Sequence, residues 1–333
     1  MCFQSTNKEQ IMRNTDFITL KQCEIYSAHF PTDDVISRVE NMRGHSDEHF
    51  LRWETVTNPI NGKKVTKLGN GNLFFSVHFE WLNLSKALLE HQIWQLKKLG
   101  EHELGNVVGM SEKEIVSKAK ETLLEQDLPY SSEIVNFFYC AETHHLITNS
   151  RSPRARIAIS NIVTNMSVVE FRTFVVSEEK LGLTAKLTAL LTENKPMFNH
   201  LHFANRTTLY LAQGEFNETR TYLDCAIRSD DSASKERVIE ALKNGYRVQS
   251  IKLFSWNEEG KDDISFTLTS SLKINKIKFS GFERMKSTVS TNSFGKHAAE
   301  FEAYIARQFA ALDKIVKGIL LGFVEGTKLE ENI

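Results

Sequence analysis

The segment Arg151-Ser152-Pro153-Arg154-Ala155-Arg156 sets three guanidinium groups beside a proline that can open a helix. Such an arrangement suits an anion, because an Arg fork grips two phosphate oxygens and the first N–H groups of a helix offer further donors. Other cations fall at spacings that could serve the same chemistry: Lys97 and Lys98 at a helix end, Arg228, Lys252, and the pair Lys276 and Lys278. A lysine meets phosphate as a mobile point charge and an arginine as a rigid fork. The plainer reading of each is a solvated surface charge, and a lysine-lined sheet edge also blocks edge-to-edge pairing.

Carboxylate and histidine pairs raise different chemistry. Asp230-Asp231 and Asp262-Asp263 could hold divalent ions astride a phosphodiester, as nucleases do. Both sit in turn-like contexts, S-D-D-S and G-K-D-D, where Asp is favoured for local hydrogen bonding. His45 and His49 share a helical spacing and His200 and His202 a strand spacing, but neither pair has a third ligand nearby. P-loop, dinucleotide-binding and nucleophile-elbow motifs are absent, so ATP-driven activity is not expected. The reading is of a protein without catalytic residues, resident metal or cofactor.

The elements that position these groups follow from periodicity. Arg247–Trp256, Ile264–Thr269 and Ile274–Phe279 alternate apolar and polar residues as half-buried strands do. Ile277 and Phe279 are expected on one face, with Lys276 and Lys278 on the other and Lys252 and Arg247 near the same kind of surface. Phe301, Ile305, Phe309, Leu312, Val316, Ile319 and Phe323 step by three and four, which predicts one long amphipathic helix. Upstream, Lys63–Phe79 reads as a hairpin about the Gly69-Asn70-Gly71-Asn72 turn. Ser85–Leu99 and Ser111–Leu124 read as helices that fold back on one another, the second with a Ser111/Glu114 capping box. Strands are expected at 17–28, 50–56, 134–140, 145–148, 171–176, 206–211 and 219–227, and helices at 33–42, 153–163, 181–191 and 232–243, the last capped by Ser232 or Ser234. This rhythm predicts an α+β fold: mixed or antiparallel sheets with packed helices in two or three lobes and a long C-terminal amphipathic helix. The expected borders are an extension at 1–14, a sheet-containing lobe at 15–83, a helical hairpin at 84–130, a strand-helix lobe at 131–200, and a sheet with the long helix at 201–333.

Composition sets limits on these readings. The 333 residues carry a net charge of −1, so any basic surface must be local and offset by acids elsewhere. The cysteines at 2, 23, 140 and 225 are scattered and read as reduced, mostly buried thiols. With neither a signal-like segment nor a long apolar stretch, the expectation is a cytoplasmic protein without membrane contact. The 22 phenylalanines could stack on bases, but their places in strand and helix runs point to core packing.

The run from R-T-Y-L-D-C-A-I-R through K-L-F-S-W, followed by I-S-F-T-L-T-S-S-L-K-I-N-K-I-K-F and A-L-D-K-I-V-K-G-I-L-L-G-F-V-E-G, resembles the RdgC family of recombination-associated proteins. N-G-N-L-F-F-S-V-H-F, L-S-K-A-L-L-E-H-Q-I-W-Q-L-K-K-L and F-F-Y-C-A-E-T-H-H-L-I-T-N-S extend the likeness collinearly, so that it spans roughly residues 16 to 326. The resemblance implies a ring-shaped homodimer that encloses double-stranded DNA, also holds single strands, reads no sequence, and restrains the RecA recombinase in the nucleoid. For a DNA partner the candidate contacts are the cations Lys97, Lys98, Arg151, Arg154, Arg156, Arg228, Lys252, Lys276 and Lys278, and the resemblance gives Tyr130 the role of a dimer contact. This chain departs from the family pattern at Ser76–Trp81, neutral to acidic where the family is cationic, and at Ile227-Arg228, which keeps one cation of a pair. Two alternatives remain at this point: a metal-dependent exonuclease, and a protein that binds a recombination enzyme directly.

Overall fold

Alternation is cleanest at Leu73, Phe75, Val77 and Phe79, and these side chains are buried near the middle of one large sheet. The computed structural model describes residues 20–31, 34–46, 51–82, 86–101, 110–124, 130–150, 152–166, 172–173, 182–198, 206–214, 221–228, 231–255, 264–279 and 297–328. In chain order its elements are β1 (Gln22–Ser27), α1 (Val35–Glu40), β2 (Arg43–Ser46), β3 (Leu51–Val56), β4 (Val65–Gly69), β5 (Asn72–Leu82), α2 (Lys86–Glu101), α3 (Glu112–Leu124), β6 (Tyr130–Cys140) and β7 (His145–Thr148). There follow α4 (Pro153–Met166), β8 (Arg172–Thr173), α5 (Leu183–Glu193), β9 (Arg206–Gln213), β10 (Thr221–Arg228), α6 (Ser232–Lys243), β11 (Arg247–Ser255), β12 (Ile264–Thr269), β13 (Ile274–Phe279) and α7 (Ala298–Lys328). The fold is mixed α+β, and its strands join in the order β10-β9-β11-β12-β13-β1-β7-β6-β5-β3-β2, with β4 beside β5 and β8 beside β1.

Strand β1 splices the two halves of this sheet. Gln22 and Cys23 pair antiparallel with Asn275 and Ile274 of β13, while Glu24 to Ser27 pair on the opposite edge with Thr148 to His145 of β7. One face of the spliced sheet is covered along its length. Phe74 and Phe138 pack there with Phe301 and Phe309 of α7, at ring separations of 6.0 and 6.1 Å, and Val248, Ile251, Phe266 and Ile274 continue the same core under α5, α6 and α7. At 31 residues, α7 is about 46 Å long. That reach lets one apolar stripe brace both half-sheets. At its far end Gly322 lets the Phe198 ring approach so closely that a Cβ would lie 2.8 Å from Cδ1.

The other face differs between the halves. Under β3, β5 and β6 it packs Phe75, Phe79 and Phe137 against Ala155, Ile159, Ile162 and Val163 of α4. No described helix covers the same face of β9 to β13, whose polar residues are half-buried or exposed. The expected Asn70-Gly71 turn forms with φ of 51° and 77°, positive at both central residues as a tight hairpin of this kind requires. Helices α2 and α3 pair through their own small core of Leu96, Ile115 and Ala119, and the Ser111/Glu114 box closes the start of α3. Trp94 lies outside that seam, 54 % exposed.

Two local expectations change. Helix α6 is capped by Asp231, whose carboxylate accepts from the N–H groups of Ala233 and Ser234, and not by Ser232 or Ser234. An ionised acceptor serves two N–H donors at the positive helix end better than a hydroxyl, and the Ser234 hydroxyl donates instead to the Asp231 carbonyl. Asp231→Ala should therefore lower the unfolding free energy by about 1 kcal/mol and Ser232→Ala by a few tenths. Equal losses in urea titrations would contradict the cap. The second change lies in β13, where alternation is broken by a bulge: one extra residue is fitted between Asn275 and Lys278, and Lys276 takes φ of 53°. The bulge turns Ile274 and Ile277, three positions apart, into the same core.

Candidate nucleic-acid interface

Cross-strand partners share a face, so the register identifies the residues opposite the covered core. On β9 and β10 these are Thr208, Tyr210, Tyr222, Asp224, Ala226 and Arg228, and on β11 they are Arg247, Ser250, Lys252 and Phe254. Strands β12 and β13 add Ser265, Thr267, Asn275 and Lys278, with Lys276 at the bulge beside them. Five of these side chains are cations: Arg228, Arg247, Lys252, Lys276 and Lys278. Asp224 is the only carboxylate among the described strand residues of this face. All but Lys252 are exposed, and none of the other four has an ion-pair partner among the described residues.

Aromatic groups lie between the charges. Tyr210 and Tyr222 stack with ring centroids 5.4 Å apart and planes 11° from parallel, and Tyr222 is 54 % exposed. The Lys252 ammonium lies over the Phe254 ring, 5.0 Å from its centroid, which fixes the cation without neutralising it. An open antiparallel face with cations, hydroxyls and flat rings can hold a polyanion by its phosphates and offer stacking surfaces to unpaired bases.

The sequence-derived cations separate into three groups. Arg228, Lys252, Lys276 and Lys278 share this face, spread from β10 to β13 with three strands between those two. Arg154 and Arg156 are bound within the fold. Arg154 Nη1 donates to the Leu82 carbonyl at 2.6 Å, while Arg156 donates through Nε to Glu24 Oε2 at 2.9 Å and sets Nη2 2.8 Å from Oε1. Arg154 thus ties the start of α4 to the end of β5, and Arg156 ties it to β1 at the splice. Arg151 lies outside the described residues, as does the side chain of Tyr130, whose backbone opens β6 opposite Leu82. Lys97 and Lys98 belong to the helical hairpin: Lys97 pairs with Glu112 at 3.0 Å and Lys98 sits 4.7 Å over Trp94.

Tyr210 and Tyr222 did not stand out in the sequence, since their alternation only marks them as facing away from the core. Pairing β9 with β10 is what brings the two rings together. Of the acidic pairs, Asp231 is committed to its helix cap, and Asp230, Asp262 and Asp263 lie outside the described residues, with His49, His200 and His202. His45 lies in strand β2, so a helical His45/His49 spacing does not form at its end. The phenylalanines expected in the core are there: Phe74, Phe75, Phe79, Phe137, Phe138 and Phe266 are fully buried and Phe279 is half-buried. Among the described residues no helix is long and apolar enough to cross a membrane. No family model matches the chain, and no curated protein matches it.

Proposed function

We propose that this protein binds DNA without reading its sequence, with the phosphate backbone lying along the open face of β9 to β13. The observation that carries this reading is the charge of that face, five cations to one carboxylate in a chain of net charge −1. Lys276 adds to it. A left-handed residue costs an L-amino acid about 1 kcal/mol, and glycine would serve the bulge more cheaply, so a lysine there argues for the use of its charge. Catalysis is not needed for such a role. A DNA-bound protein blocks filament growth by occupancy, and the resemblance to RdgC proteins extends the proposal to a homodimeric ring that restrains RecA.

Fluorescence anisotropy across a salt series tests the reading. Five phosphate contacts give a slope of log affinity against log salt of about −4.5 on duplex and about −3.5 on single strands. Affinities for unrelated sequences of one length should agree within a few-fold. A salt-insensitive affinity, or a preference of several decades for one sequence, would refute it. Sedimentation at the same concentrations tests the dimer separately, since a strict monomer would remove the ring and leave the DNA face standing. If the protein acts on a recombination enzyme directly, variants of the face will lose DNA binding and keep inhibition. The exonuclease reading predicts Mg²⁺-dependent loss of DNA that disappears in Asp262→Asn/Asp263→Asn.

A further inference from the structure

The hairpin β6–β7 ends in a pair of unlike side chains, Cys140 and His145, directly opposite one another. Both point into the core beneath α7, where they meet Asp313, and the Cys140 sulfur, the His145 ring nitrogen and a carboxylate oxygen all lie within 4.8 Å of one another. Cys140 is 1 % exposed and His145 fully buried. His145 Nε2 and Asp313 Oδ1 pair at 3.3 Å, a contact without the alignment of a good hydrogen bond. We infer that Cys140, His145 and Asp313 are three ligands of a tetrahedral divalent metal site, and that zinc is the ion their chemistry selects.

The geometry fits this assignment. With Zn–N and Zn–O bonds of about 2.0 Å and tetrahedral angles, two such ligand atoms stand about 3.3 Å apart, the separation seen between Nε2 and Oδ1. One thiolate, one imidazole and one carboxylate form a borderline donor set that suits zinc better than magnesium or calcium. The surrounding hydrogen bonds orient each ligand for that role. The Thr143 hydroxyl contacts His145 Nδ1, which leaves Nε2 for the metal, and donates to Cys140 Sγ at 3.2 Å, a direction suited to a thiolate. Lys317 holds Asp313 Oδ2 at 2.7 Å and Glu142 at 2.6 Å, so that Oδ1 remains free for the ion. On binding, the Cys140 S–H bond breaks, sulfur keeps the electron pair for the metal, and the proton leaves to solvent. Water fills the fourth position. The ion would staple α7 to the turn of a β-hairpin, a structural use independent of DNA binding.

Cobalt is the direct probe. The intact chain, stripped with chelator and titrated with Co²⁺, should take up one equivalent and show both tetrahedral ligand-field absorption and a near-ultraviolet thiolate-to-cobalt band, each displaced by one equivalent of Zn²⁺. Cys140→Ser should abolish the thiolate band and Cys225→Ser should leave it. Asp313→Asn, if it folds, should weaken zinc binding more than ten-fold, since even the loss of an outer-shell partner costs about ten- to a hundred-fold. An unmodified chain that stays colourless at one equivalent, or a thiolate band lost with Cys225 and not with Cys140, overturns the assignment. Because the wild-type spectrum decides, a misfolded variant cannot rescue the proposal or sink it.

Discussion

Changing Arg228, Lys276 and Lys278 together to glutamate should weaken binding of a short DNA duplex by about two to three orders of magnitude near 0.1 M salt. Each lost phosphate contact forfeits the release of about 0.9 of a counterion, which at that salt is close to a factor of ten. Three losses therefore multiply to several hundred-fold before any repulsion from the new carboxylates is counted. The salt slope should fall in step, from about −4.5 towards −2. All three residues are exposed and without ion-pair partners among the described residues, so stability should move by less than about 0.5 kcal/mol. Lys97→Glu/Lys98→Glu provides the contrast. One of these lysines is paired with Glu112 and the other lies over Trp94, so the double change should alter affinity only a few-fold. If the helical hairpin proves dominant, the open sheet face is not the interface. Tyr222→Ala then reports on stacking, with an expected loss of about 1–3 kcal/mol on single strands and little on duplex.

Glu24→Ala should be the most damaging single change at the splice, lowering the unfolding free energy by about 2–3 kcal/mol. Its carboxylate, 10 % exposed, accepts from the Tyr26 hydroxyl at 2.8 Å and lies 2.8 Å from Arg156 and 2.9 Å from Lys273. Removing one partner from a fully buried ion pair costs about 3–5 kcal/mol, because the opposite charge is left without compensation. Here Arg156 and Lys273 are 35 % and 37 % exposed, so water recovers part of that loss. Urea titration should show a lower midpoint with an unchanged slope. The isosteric Glu24→Gln, which keeps the shape and one acceptor, should cost less than half as much. A loss below about 0.5 kcal/mol for Glu24→Ala would mean that the cluster is solvated and does not tie the half-sheets together.

The local grammar of this chain was readable wherever neighbours in sequence determine the outcome. The Leu73 to Phe79 alternation, the Asn70-Gly71 turn, the Ser111/Glu114 box and the apolar stripe of α7 each depend on spacings of a few residues, and each forms as expected. Opposite outcomes share one cause, distance along the chain. Three guanidinium groups beside a helix start look free until Glu24, 132 positions before Arg156, takes one fork. The Lys276 bulge is set by how Ile274 and Ile277 must both reach a core shared with β12 and β1, a constraint absent from the strand's own pattern. The same holds for Cys140, His145 and Asp313. Cys140 and His145 are close in sequence, but the third member comes from the last helix, and no local spacing reveals it.

Strand β1 has a consequence for the order in which the chain is made. It leaves the ribosome first among the described strands, and its second half finds a partner once residue 148 has emerged. Its first half must wait for residues 274 and 275. Closing a loop of that length costs only a few kcal/mol more than a short one, but the search is slow and the waiting edge stays open. Until β13 arrives, Gln22 and Cys23 present unpaired backbone groups on a nascent protein, a place for a holdase to bind or a neighbouring chain to pair. The first of the described strands to be synthesised is thus among the last to be completed.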